Sequence, residues 1–87
     1  MIKIRLITAV WCPSCLIMRP RYQALVMKHP QFVFEELDFD TDGKTVESLS
    51  IGKTLPVAII NSDDQELLRI VGEKSPHEIE RLVKPLL

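Results

Sequence analysis

The segment Trp11-Cys12-Pro13-Ser14-Cys15 constrains this chain more than any other stretch of it. It contains the only two cysteines, three residues apart, at the point where the apolar run Ile2 to Val10 gives way to helical spacing. A thiol at a strand-to-helix junction lies beside the unpaired N–H groups and positive dipole end of the helix. That environment favours the thiolate, the reactive form of cysteine. The second cysteine, about one helical turn further on, can close a disulfide onto the first. The pair points to a dithiol/disulfide redox site. Two plainer readings stand beside it: half of a metal site, or two unreactive cysteines.

The segments around this motif read as a compact alternation of strands and helices. Ile2, Ile4 and Leu6 alternate with Lys3 and Arg5, and Ile7 and Val10 follow, which predicts a strand buried on both faces towards its end. Pro13 suits the first position of a helix, where its missing N–H costs nothing. That helix is expected from about Pro13 to Lys28, kinked at Pro20 and ended by His29-Pro30. Phe32 to Phe39 reads as a second strand, Asp40-Thr41-Asp42-Gly43 as a turn, and Lys44 to Ser50 as a short helix. Leu55 to Ile60 and Glu66 to Val71 read as a hairpin around Asn61-Ser62-Asp63-Asp64. Ser75-Pro76-His77-Glu78 is a capping box, opening a helix whose apolar face is Ile79, Leu82, Val83 and Leu86. The order is β-α-β-α-β-β-α.

Composition narrows the function. The 87 residues allow one domain, residues 1–87, without room for a second core. The formal net charge of −1 gives no basic footprint, so nucleic acid is not an expected partner. No apolar stretch approaches the roughly 20 residues of a membrane helix. The run from Ile2 to Val10 is short and broken by charges, and it reads as a strand and not as a signal peptide. The expectation is a cytoplasmic protein. In a reducing compartment a Cys-x-x-Cys pair is catalytic or metal-binding more often than structural.

This element order, with Trp-Cys-x-x-Cys after the first strand, resembles the thioredoxin superfamily along nearly the whole chain. The likeness is to the core shared by glutaredoxins and small thioredoxins, an α/β fold with a four-stranded mixed sheet flanked by helices. Full-length thioredoxins carry an extra N-terminal strand and helix. Pro20, five residues after Cys15, matches the family's kinking proline. Asp38-Phe39-Asp40 resembles the end of the second core strand. Leu55-Pro56-Val57 matches the cis-proline segment beside the dithiol, and Gly72 matches a glycine near the same surface.

The resemblance implies roles. Cys12 would be the exposed nucleophile that attacks a substrate disulfide, and Cys15 the resolving thiol that releases the reduced partner. Trp11, Pro13, Ser14, Leu55, Pro56 and Gly72 would line the site. The backbone of Leu55 would be free to pair with an extended substrate segment. No cofactor is implied beyond the redox-active disulfide Cys12–Cys15. The expected partners are protein disulfides and, as electron donor, a reductase or glutathione; a monomer is expected. One departure is plain: the family's buried Asp on the first strand, six residues before the first cysteine, is matched here by Leu6. Glu36 shares a strand face with Phe32 and Phe34 and is a candidate substitute proton acceptor, with a solvated Glu as the plainer reading.

Other features are weaker. Asp38-x-Asp40-x-Asp42-Gly43 opens like a calcium loop, but its twelfth position is Leu49, where a bidentate Glu belongs. Turn and capping duty explains it. His29 and His77 have the wrong spacing to join the cysteines at zinc. Arg19 and Arg21 read as a solvated helix face. The function expected is a protein-disulfide oxidoreductase. The alternatives are a glutathione-dependent glutaredoxin-like enzyme and a non-enzymatic carrier holding Cu(I) or Zn on Cys12 and Cys15.

Overall fold

Ile4, Leu6 and Ile7 have no exposed surface, and Thr8 and Ala9 have almost none. Successive side chains of a strand point to opposite faces, so a strand buried at consecutive positions must be covered on both sides. In the computed structural model, which describes residues 2–52 and 54–87, that strand is β1 (Ile2–Thr8). It lies inside a four-stranded sheet of order β2-β1-β3-β4. The other strands are β2 (Phe32–Asp38), β3 (Val57–Ser62) and β4 (Gln65–Val71). β1 is parallel to β2, with Ile4 opposite Phe34 and Leu6 opposite Glu36. It is antiparallel to β3, with Ile4 opposite Ile60 and Leu6 opposite Ala58. β3 and β4 form an antiparallel hairpin.

The helices divide between the two faces. α1 (Pro13–Lys28) and α3 (Pro76–Val83) share one face, where Met18, Tyr22, Leu25, Ile79 and Val83 pack with Ile4, Leu6, Phe32, Ala58, Ile60 and Ile70. α2 (Gly43–Ser48) covers the other face, where Val46 packs with Ile7, Val57 and Ile59. Each fully buried aliphatic side chain contributes roughly 1.5–3 kcal/mol. The α1 residues that face inward, Cys15, Met18, Tyr22 and Leu25, form a single stripe at spacings of three and four. Ser75 caps α3, its Oγ accepting from the Glu78 N–H at 3.1 Å, as the capping box predicts.

Several boundaries differ from expectation, each for a local reason. β1 stops at Thr8, and Val10 is 85% exposed and belongs to the turn that feeds α1. β3 begins at Val57 and runs on through Asn61 and Ser62, which pair with Lys3 and Ile2. Pro56 has no N–H to give to the ladder, and the hairpin turn is only Asp63-Asp64, with Asp63 at φ 54°. α2 ends at Ser48, and Ser50 follows with a left-handed φ of 53°. α1 continues through Pro20. The carbonyl that Pro20 leaves unbonded is that of Leu16; both residues are on the exposed side of the helix. A 3₁₀ turn, Lys84–Leu86, follows α3.

The inward stripe of α1 gives the first prediction. Leu25→Ala should lower unfolding free energy by about 2–5 kcal/mol through the cavity it leaves. Gln23→Ala, on the exposed side of the same helix, should stay within about 0.5 kcal/mol. Urea denaturation of both variants measures the difference, and equal effects would contradict this packing.

Candidate active site

The end of β1 and the start of α1 bring both cysteines together. The turn between them closes with the Cys12 N–H bonding to the Ala9 carbonyl at 3.1 Å. Cys12 is the N-cap of α1, extended at φ −104°, and its Sγ accepts from the Cys15 N–H at 3.3 Å. This bond places the sulfur where the first turn of the helix presents unpaired donors. Pro13 takes the first helical position, consistent with its fixed φ. Both cysteines are free thiols. Cys12 is not exposed as expected: it is buried, with 7% of its surface accessible, because Ala9, Phe39 and Leu55 pack around the motif, and Cys15 has none. Burial pushes the Cys15 thiol up to about 11, and the neighbouring Cys12 adds to the rise; the Ala9 backbone and Arg19 pull against it. Ala9 and the half-buried Phe39 and Leu55 enclose the pair.

The surroundings are ordered by hydrogen bonds from three other segments. Trp11 is 58% exposed, with its indole N–H donating to Asp40 Oδ2 at 2.9 Å and its ring edge-on to Phe39 at 6.0 Å. The Phe39 N–H in turn bonds to the Thr8 carbonyl at 2.7 Å, anchoring the β2 end beside the motif. The Leu55–Pro56 peptide is cis. The Pro56 carbonyl accepts from the Gly72 N–H at 2.8 Å, which ties the segment before β3 to the end of β4. Gly72 has φ 81°; a Cβ there would meet no atom within 4 Å, so what requires glycine is the backbone conformation and not space.

The sequence profile of the thioredoxin family, described as Thioredoxin, matches residues 4–85. The chain belongs to the thioredoxin family. An H-type thioredoxin of Brassica oleracea is 27% identical over 77 residues, spanning 88% of this chain and 62% of that protein. The chain thus spans less than two thirds of the plant relative's length. The thioredoxin of Chlamydia trachomatis is 28% identical over 75 residues, 86% of this chain and 72% of its own. The solved structure of Plasmodium falciparum thioredoxin superposes with a TM-score of 0.88 at 19% identity, covering 99% of this chain and 82% of that one. The four-stranded mixed sheet with flanking helices is the thioredoxin fold.

Of the residues singled out in this thioredoxin-family sequence, the fold gathers Trp11, Cys12, Pro13, Ser14, Cys15, Leu55, Pro56 and Gly72 on the end of the sheet where β1 meets α1. Glu36 is placed differently from a carboxyl buried under Cys15. Its side chain is 31% exposed, and its Oε2 accepts from Thr8 Oγ1 at 2.8 Å and from Arg19 Nε at 2.8 Å, with Arg19 Nη2 at 2.7 Å. Arg19 and Arg21 are not a free solvated face. Arg19 is paired to Glu36, and Arg21 Nη1 donates to the Lys74 carbonyl at 2.8 Å. Sequence reasoning passed over Thr8, gave Asp40 only turn duty and read Arg19 only as part of a solvated helix face. For Arg19 the available signal was its position four residues after Cys15, on the same helical face.

The acidic loop performs turn duty. Asp38 Oδ1 accepts from the Asp40 and Thr41 N–H groups, which holds its carboxyl below the usual range, and Asp42 Oδ2 accepts from the Asp38 N–H. His29 caps the end of α1 and reaches Glu80 Oε2 at 3.3 Å. Among the described residues no group of three or more His, Cys, Asp or Glu side chains is arranged to hold a metal ion. No helix there is long and apolar enough to cross a membrane.

The raised Cys15 thiol has a measurable consequence for stability. From pH 9 to about 11 the unfolded thiol loses its proton while the folded one keeps it. The unfolded state then binds fewer protons, so stability is full below pH 9 and declines as pH rises through that window. Reduced protein should therefore lose stability between pH 8.5 and 10.5, roughly, and Cys15→Ala should lose less. Tyr22, also raised by burial, acts in the same direction in both proteins, so the difference isolates the thiol. Denaturation midpoints at the two pH values give the comparison, and parallel declines would contradict the burial effect.

Proposed function

We propose that this protein is a thiol–disulfide oxidoreductase that reduces protein disulfides through Cys12 and Cys15. The observation that carries this reading is the pairing of unlike thiols on one helix turn: Cys12, the N-cap, which keeps a small accessible fraction, and Cys15, which keeps none. Cys12 is the nucleophile. As thiolate it attacks one sulfur of the substrate disulfide, forming a mixed disulfide and releasing the other sulfur as a thiolate that takes up a proton. Cys15, deprotonated in turn, attacks Cys12. The Cys12–Cys15 bond forms, the mixed disulfide breaks, and the second substrate sulfur leaves as thiolate. The substrate gains two electrons and the dithiol loses two. No cofactor beyond this couple takes part, and a reductase or glutathione restores the dithiol.

The remaining parts of the site support that sequence of events. The N–H of Cys15, aimed at Cys12 Sγ, and the dipole of α1 stabilise negative charge on the sulfur. Trp11, exposed and oriented by Asp40, gives an approaching chain an apolar flank. Leu55 packs against the cysteine cluster, and its backbone lies where an extended substrate segment would run. Pro13, Ser14 and Gly72 border the same surface. The protein would act as a monomer in the cytoplasm.

Insulin reduction with a thioredoxin-reductase system, compared with glutathione and glutathione reductase, tests the activity and its donor together. Turnover with the first system alone is expected; turnover with glutathione alone would move the protein to the glutaredoxin-like class. Stoichiometric Cu(I) or Zn on the purified protein without insulin reduction would replace the enzymatic reading with metal carriage. Cys15→Ser should accumulate a stable mixed disulfide on Cys12 with proteins of a cell extract, and Cys12→Ser should not. Adducts on Cys15 in place of Cys12, mapped by peptide mass analysis, would reverse the assigned roles.

A further inference from the structure

Resolution of a mixed disulfide requires Cys15 to become a thiolate in a place hostile to charge. Its cluster partners besides Cys12 are Ala9, Phe39 and Leu55, all apolar. Leu6, the β1 residue paired in register with Glu36, is apolar and fully buried. The positive charge of Arg19 favours the ionised form of the Cys15 thiol, against the burial that opposes it. Arg19 follows Cys15 by four residues on α1, so the two share a helix face one turn apart. The guanidinium is engaged by a carboxylate. Nε and Nη2 both engage Glu36 Oε2, at 2.8 and 2.7 Å, and the same oxygen accepts from Thr8 Oγ1 at 2.8 Å. Thr8 is 2% exposed and sits one residue before Ala9, so the anchor is built into β1 itself.

We propose that Arg19, fixed by Glu36 and Thr8, is a positioning residue for the resolving step, holding a permanent positive charge one helix turn from Cys15 so that the buried thiol can ionise. Arg suits the task because it stays charged at every working pH and its planar fork can be locked by a carboxylate. Glu36 anchors the charge and also partly offsets it. The two residues therefore act on Cys15 with opposite sign. A purely structural ion pair would make both removals look alike.

This proposal rests on the dithiol reading above, and its test is kept separate from disulfide turnover. The Cys15 thiol is titrated by the ¹³Cβ chemical shift in a Cys12→Ser background, with Arg19→Gln, Arg19→Lys and Glu36→Gln added singly. Arg19→Gln should raise the Cys15 titration midpoint by about half a unit, a roughly threefold loss of thiolate at lower pH. Arg19→Lys, which keeps the charge, should recover at least half of that shift. Glu36→Gln should not raise the midpoint. With Cys12 present, Arg19→Gln should slow release of a Cys12 mixed disulfide about threefold near neutral pH, and the deficit should close as pH rises. An unchanged midpoint in Arg19→Gln, a Lys variant as shifted as the Gln variant, or a rise in both Arg19→Gln and Glu36→Gln would overturn the proposal. If the parent showed no disulfide exchange, the reading of function would fall while the titration still reported on Arg19.

Discussion

Strand β1 has no free edge, and both faces of its C-terminal half are covered; the rest of the structure is arranged around that constraint. β2 and β3 satisfy its backbone on either side. α1 and α3 cover its Ile4 and Leu6 face, and α2 covers Ile7. From Leu6 to Thr8 the side chains of β1 are buried, while Arg5 keeps a partly exposed side chain nearer the N-terminal end. The C-terminal end of β1 leads into α1, whose capped N-terminus carries the cysteines. The two sulfurs therefore sit one turn beyond the buried end of β1, packed with Ala9, which is itself buried.

The parts of this design with strong local signals could be read from the sequence. Pro13 and the His29-Pro30 pair delimit α1 because proline acts on the backbone whatever the tertiary context. The Ser75 to Glu78 capping box and the amphipathic stripe after it likewise place α3. Less legible were features decided by pairing across the sheet. β3 is displaced because Asn61 and Ser62, which look like loop residues, are held by Lys3 and Ile2 of β1. Val10 looks like one more apolar strand residue, yet it is exposed because the chain must turn there to start a helix.

The same division applies to the site. The cysteines, Trp11, Pro56 and Gly72 stood out through motif and spacing. The ionic group of Thr8, Glu36 and Arg19 did not, because its members come from three elements and each is unremarkable alone. Glu36 drew notice only through its strand face; its partner Arg19 determines what that carboxylate does. Asp40 gave no sign that it would orient Trp11 from 29 residues away. Long-range polar pairs of this kind depend on which surfaces the topology brings together.

Strand order also bears on how the site comes into being. The motif and α1 lie in the first third of the chain, but Leu55 and the Gly72 to Pro56 hydrogen bond come from later segments. β3 reaches its place only by pairing with β1 across more than half of the sequence. Such distant pairing must first offset the entropy of closing the intervening loop. On a ribosome both thiols emerge well before the residues that enclose them. The enclosure of the two cysteines is therefore assembled from both sides of the sequence, with Phe39 arriving first and Leu55 completing it.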